Sequence, residues 1–195
     1  MYNNTIGEYN TATGLNALQA NVSGTNNTVN GVAAMFNNTT GSANVANGVA
    51  ALFNNTDRSN LVAIGDSALY NNGVNAVTLS DAIGNTAIGS KSLFTNTIGT
   101  QNSAVGYQSL YFNNTGINNN AVGAYALHKN VSGSFNCASG SYALHNNTGG
   151  SNNNAEGAYA LFTNTVGSSN TAMGYQSLFG NTSNNNTAIG YNAIR

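Results

Sequence analysis

Side chains able to do chemistry are few in this chain, and their spacing is informative. The carboxylates are Glu8, Asp57, Asp66, Asp81 and Glu156, and the imidazoles are His128 and His145. The two histidines stand 17 residues apart, the repeat distance set out below, so they occupy one position in adjacent units. Two imidazoles so placed suit a shared metal ion. Asp66 and Asp81 close two related stretches, Asn60–Asp66 and Asn75–Asp81. As equivalents in successive coils they would stack about 5 Å apart, a geometry for a catalytic pair or a cation. Tyr125, Tyr142 and Tyr159 form a third such column, a stripe on which sugars would stack. Each has a plainer reading. The two acids belong to a solvated face, the histidines stand in a column of other rings, and the tyrosines make a structural ladder. Cys137 is alone, which excludes an intrachain disulfide framework. The plainer readings are the ones adopted, so no catalytic, metal or cofactor residue is assigned and the chain is read as a non-enzyme.

What must position these residues is a repeat. Eleven glycines, Gly14, Gly31, Gly48, Gly65, Gly89, Gly106, Gly123, Gly140, Gly157, Gly174 and Gly190, recur every 17 residues, with one step of 24 and a last step of 16. Alanine stands two residues before this anchor in every unit except at Val29. Four before it is Asn10, Asn27, Asn44, Asn85, Asn102, Asn119, Asn136, Asn153, Asn170 or Asn186, with Leu61 the one exception. Seven after it is Asn21, Asn38, Asn55, Asn72, Asn96, Asn113, Asn130, Asn147, Asn164 or Asn181. Leucine dominates four after the anchor, and a second glycine column lies ten after it. A polar, Asn-rich chain is otherwise open to a disordered reading. Disorder tolerates drift in register, and this register does not drift.

A fixed short period signals coils that contact only their neighbours. Two glycines and several Asn or Thr per unit exclude stable helices. The alternation Asn-x-Ala-x-Gly places three near-uniform columns on one face of a short strand. The chain is therefore predicted to be all-β: a parallel β-solenoid (β-roll) of about eleven 17-residue coils over 1–195, with one irregular coil near residues 70–86. Each coil is expected to hold two short strands and two corners, the Asn-Thr-Gly corner being turn chemistry. Eleven coils at the strand spacing make a rod roughly 50 Å long.

The interior follows from the same columns. Small Ala, Gly and Ser imply close sheets filled by Leu. The two Asn columns form amide ladders, each side chain bonding its equivalents above and below. The column after Leu (Phe36, Phe53, Tyr70, Phe94, Tyr111, His128, His145, Phe162, Phe179) reads as stacked rings at a corner. Between Gly65 and Gly89, Ser80 looks like a degenerate anchor, and the ring corner and Asn-Thr turn that should follow it are missing. A shortened coil or a bend is expected there.

Composition narrows function. Charged residues are 5% and net charge is −1, which leaves no basic face for nucleic acid. No run reaches the roughly 18 apolar residues of a membrane helix, so no membrane insertion is expected. Sequons recur at Asn21, Asn37, Asn38, Asn54, Asn113, Asn130 and Asn146, candidates for glycosylation in a secreted product. The Thr11, Thr28, Thr86, Thr171, Thr187 column is broken by Val, Ser, Asn and Cys, which disfavours an ice-binding face.

The strand motif in Asn102–Gly106 and Asn186–Gly190 resembles that in the heads of YadA-like trimeric autotransporter adhesins. The longer unit Asn170–Phe179 is similar to repeat arrays of phage and giant-virus fibre proteins. The resemblance implies a parallel β-roll, extracellular or on a cell or virion surface, that trimerises and attaches to surfaces. Met1 aligns with the Leu column and Arg195 with the ring column, and neither end shows a polar cap. The expected partner is therefore another copy, in an end-to-end filament or a homotrimer, with a cell-surface glycan as a further ligand. A structural fibre subunit is the leading expectation and a trimeric adhesin head the alternative.

Overall fold

The structure is a computed structural model that describes residues 2–194, so the aligned Met1 and Arg195 lie outside the described residues. The Asn-x-Ala-x-Gly segment of every unit forms one three-residue strand. The strands are β1 (Thr11–Thr13), β2 (Thr28–Asn30), β3 (Val45–Asn47), β4 (Val62–Ile64), β5 (Thr86–Ile88), β6 (Ser103–Val105), β7 (Asn120–Val122), β8 (Cys137–Ser139), β9 (Asn154–Glu156), β10 (Thr171–Met173) and β11 (Thr187–Ile189). They make one parallel sheet in chain order, β1 to β11. Register is unbroken: Ala121 pairs with Ala138, and Val62 with Thr86 across the long step. No helix occurs among the described residues. The chain is an all-β parallel β-solenoid.

The central Ala of the interior strands is fully buried, while its neighbours face solvent wholly or in part. The expected second strand is replaced by something else. Residues two and four after each anchor have left-handed backbones, as at Tyr125 (φ 58°) and Leu127 (φ 50°). The alternation carries the chain forward with the N–H groups of the two left-handed residues turned opposite ways along the rod. Tyr125 N–H donates to Tyr107 O in the preceding coil at 2.9 Å, and Leu127 N–H to Ala143 O in the next at 3.0 Å. Left-handed backbone costs an L-residue about 1–2 kcal/mol. Full burial of Leu contributes about 1.5–3 kcal/mol, so the Leu column offsets its own strain. Sequence pattern gives period two for either ribbon, which is why the two look alike from outside.

The anchor glycines are required by both space and conformation. Gly123 has φ +133°, and a Cβ there would lie 2.6 Å from Gly140 C. The second glycine column answers to space alone. At Gly133 a Cβ would lie 2.3 Å from Gly150 O and 2.5 Å from Asn130 Oδ1.

That crowding arises because both Asn columns converge on the second glycine. Asn119 Nδ2 and Asn130 Nδ2 both donate to Gly133 O, at 2.8 and 2.9 Å. Asn119 Oδ1 accepts the Asn136 backbone N–H at 3.0 Å and its Nδ2 at 3.1 Å. In the second ladder Asn130 Nδ2 reaches Asn113 Oδ1 at 2.7 Å. The interior is thus half apolar, around Ala and Leu, and half a closed amide network. The nine-ring column is continuous, with centroids 5.1–5.3 Å apart from Phe36 to Phe179.

Candidate functional site

A rod of equal coils has no site until the equality fails, and it fails after Asn72. The expected shortened coil is not what forms. Gly65 sits against Gly89, and Tyr70 stacks on Phe94 at 5.1 Å, so the stack passes through the long step without a bend. The segment 73–81, which carries the surplus of the long step, leaves the rod as a side excursion. Ser80 is no anchor, and the place above Asp66 belongs to Ser90, whose neighbour Lys91 donates its N–H to Asp66 O at 2.8 Å.

Asp81 is used inside the excursion. Its Oδ2 accepts the Val77 and Thr78 N–H groups at 3.0 and 2.9 Å. Those bonds, the Thr78 N–H foremost, hold its carboxyl below the usual value. The expected stacked pair with Asp66 is therefore replaced by a turn cap. At the tip, Val77 and Leu79 are 90% and 80% exposed, in a loop that its own hydrogen bonds hold.

Both Asn ladders are disturbed here. Asn72 Nδ2 keeps the carbonyl bond of its column, to Ala82 O at 2.9 Å, but makes no bond to the Asn before it, leaving Asn55 Oδ1 buried without a partner. Asn72 Oδ1 accepts from Asn96 and, at 3.3 Å, from Asn85. Asn85 makes that second bond because the coil below it carries Leu61. Leu61 keeps the backbone half of the ladder, its N–H donating to Asn44 Oδ1 at 3.0 Å.

Three cavities border the excursion. One of about 730 Å³ is lined by Val74, Thr97, Phe112, Asn114, Lys129 and Val131. A second, of about 550 Å³, lies between Val74–Ala76 and the corner residues Asn37, Asn54, Asp57 and Arg58. The third, of about 320 Å³, is bounded by Asn60, Ser80, Ile83 and Gln101. Arg58 stands where the second glycine column would place a glycine. It is 4% exposed, and its Nε and Nη1 have no hydrogen-bond partner. Sequence reasoning passed over it, although an Arg in a glycine column next to the one irregular spacing was a readable signal.

The other candidate residues are placed as follows. His128 and His145 stack at 5.2 Å and 10°. Nδ1 of His128 donates to Gln108 O and that of His145 to Asn146 Oδ1. Burial, above all, holds both imidazoles below the ordinary histidine value. Tyr125, Tyr142 and Tyr159 stack at 5.0 Å, and Tyr107 and Tyr175 meet the two ends edge-on. The ring faces are covered, so the stripe presents edges to solvent. Cys137 is partly buried, with a thiol pushed up by burial and by Glu156. Among the sequons, Asn21, Asn38, Asn113 and Asn130 are buried ladder members whose Nδ2 atoms donate within the core. A glycan on those atoms would remove the bond. Asn37, Asn54 and Asn146 lie half-buried at the corner. The first two form a short third ladder that the sequence reading missed, Asn37 to Asn54 at 3.0 Å and Asn54 to Asn71 at 2.9 Å.

No protein-family model, curated protein or solved structure matches the chain.

Proposed function

We propose that the chain is a structural, non-enzymatic rod: a segment of an extracellular or virion-borne fibre whose coils stack end to end. The observation that carries this is the sameness of the coil faces. Each interior coil both donates to and accepts from each of its two neighbours through one repeated set of bonds. A coil face that repeats unchanged along the rod is complementary to the same face of another copy. Such a head-to-tail contact does not close and therefore grows a fibre. The five carboxylates are dispersed over the rod, which supports a structural role over a hydrolytic one. The test is sedimentation velocity across a wide concentration range, with electron micrographs of the same samples. Growing rods support the fibre; a monodisperse monomer at high concentration would sink it.

A second reading is lateral attachment, as an adhesin-like head that binds a cell surface or glycan, monomeric or as a homotrimer. The specific observation in its favour is the excursion, an ordered knob with exposed apolar residues and cavities at its sides. A native mass of three chains would support the trimeric version, and any other mass would remove it.

A further inference from the structure

We propose that the cavity beneath the excursion is a saccharide subsite, built around Arg58 and Asp57. The proposal gives the lateral-attachment reading a site and a ligand class, and rests on that reading. The starting point is an unmet need. A guanidinium carries five N–H donors and cannot shed its charge. Burying it with donors unpaired costs several kcal/mol. Arg58 is more than nine-tenths buried, lines a cavity of about 550 Å³, and has Nε and Nη1 without hydrogen-bond partners. That volume lies within the range of small-molecule sites.

The Arg58 stem is held in place. A Cβ at Gly73, whose φ is +78°, would lie 2.9 Å from Arg58 Cγ. Gly73 therefore lets the excursion close over the stem, where any larger residue would push it aside.

The neighbours select the ligand. Asp57 Oδ1 lies 3.4 Å from Arg58 Nε and accepts the Thr56 hydroxyl at 3.1 Å. A free carboxylate or sulfate entering the cavity would meet the Asp57 charge. A neutral ligand that accepts from the guanidinium and donates to Asp57 meets no such penalty, and hydroxyls do both. The wall offers further acceptors in the Asn37 amide and the Thr39 and Thr56 hydroxyls. Several acceptors beside one multi-donor head match the vicinal hydroxyls of a sugar. A peptide amide offers one N–H donor and one carbonyl acceptor and fits less well. Ala20, Val74 and Ala76 supply an apolar patch for the C–H face of a pyranose.

The experiment is a titration of the isotope-labelled chain followed by NMR at the Arg58 Nε–H and Gly73 N–H signals. The probes are methyl hexosides of gluco, galacto and manno configuration, with sodium acetate, sodium sulfate and N-methylacetamide as separate arms. The expected result is saturable movement of both signals by at least one hexoside at millimolar concentration, and none by the other arms. Arg58→Gly restores the column's own residue and should abolish the response. Asp57→Asn alters a partly exposed side chain and should weaken binding about tenfold, with the spectrum otherwise unchanged. Silence from every hexoside, a response to acetate or sulfate alone, a response to the amide, or hexoside binding unchanged in Arg58→Gly would each overturn the proposal. Attachment to glycan-coated surfaces, measured on the same Arg58→Gly variant, separates the two readings. If it persists, attachment stands and this site does not.

Discussion

Two regions of this rod obey the same rules to different degrees. From Gly89 to Gly174 the two glycine columns, the two Asn columns and the Leu column are each filled by their own residue type, and the buried amides have repeated partners, save at Asn154 Oδ1 and Asn164 Oδ1. From Arg58 to Asn85 the backbone stack is as regular, with Val62 on Thr86 and Tyr70 on Phe94. The side-chain columns there are not. A glycine is replaced by Arg58, an Asn by Leu61, and one corner by the excursion. Sheet and ring ladder thus tolerate what the amide network does not, because they ask only for a backbone and a flat side chain. The amide ladder asks for a donor and an acceptor at fixed places.

The comparison can be broken first at the glycines. Gly123→Ala puts a Cβ into Gly140 backbone at a φ that only glycine adopts comfortably, and should cost about 3 kcal/mol or more. Gly84→Ala, in the irregular region, has φ +65° and a nearest neighbour at 3.5 Å, and should cost only about 1 kcal/mol. Equal losses in urea melts of the two variants would refute the contrast. Next come the amides. Asn130→Ala leaves Asn113 Oδ1 without its donor, takes one of the two bonds from Asn147 Nδ2 and leaves Gly133 O to Asn119 alone, a loss of about 2–3 kcal/mol by the same melts. Asn44→Leu repeats what Leu61 already does and should be milder, about 1–2 kcal/mol.

A smaller effect tests the ring ladder. The His128 and His145 pKa values are lowered on folding, mainly by burial and further by Lys129. The unfolded chain then binds protons more readily, so stability is full above the free value of 6.5 and falls as pH drops through the lowered values. His128→Phe with His145→Phe, the column's own residue, should flatten that acid-side loss; an unchanged slope between pH 7.5 and 5 would contradict it. The smallest effect is expected at the knob. Leu79→Ser removes a side chain that is 80% exposed and should leave stability within about 0.5 kcal/mol. A larger shift in the melting midpoint would mean that the excursion is packed into the rod.

Most of the fold was legible because each column states a requirement of the stack. Ala12 to Ala188, the leucines and the two sets of Asn report burial, and the structure buries nearly all of them. The left-handed ribbon from Asn16 to Ile194 was not legible as such. Its period of two is that of a strand, and nothing in the types Gln, Tyr, Ala or Leu at those positions announces positive φ. The excursion was visible as a spacing of 24, yet its form was misread. Asn75–Asp81 mimics a coil segment by type, and only the pairing of β4 with β5 shows that the stack bypasses it.

The sequence by itself determined the period, the identity of the buried columns and the parallel stacking, since only a coil of constant length keeps like residues in contact. Tertiary structure decided what happens where the columns fail. Whether extra residues become a coil or a loop depends on which neighbour completes the backbone bonds. Whether Arg58 meets open solvent or the wall of a cavity depends on where that loop comes to rest.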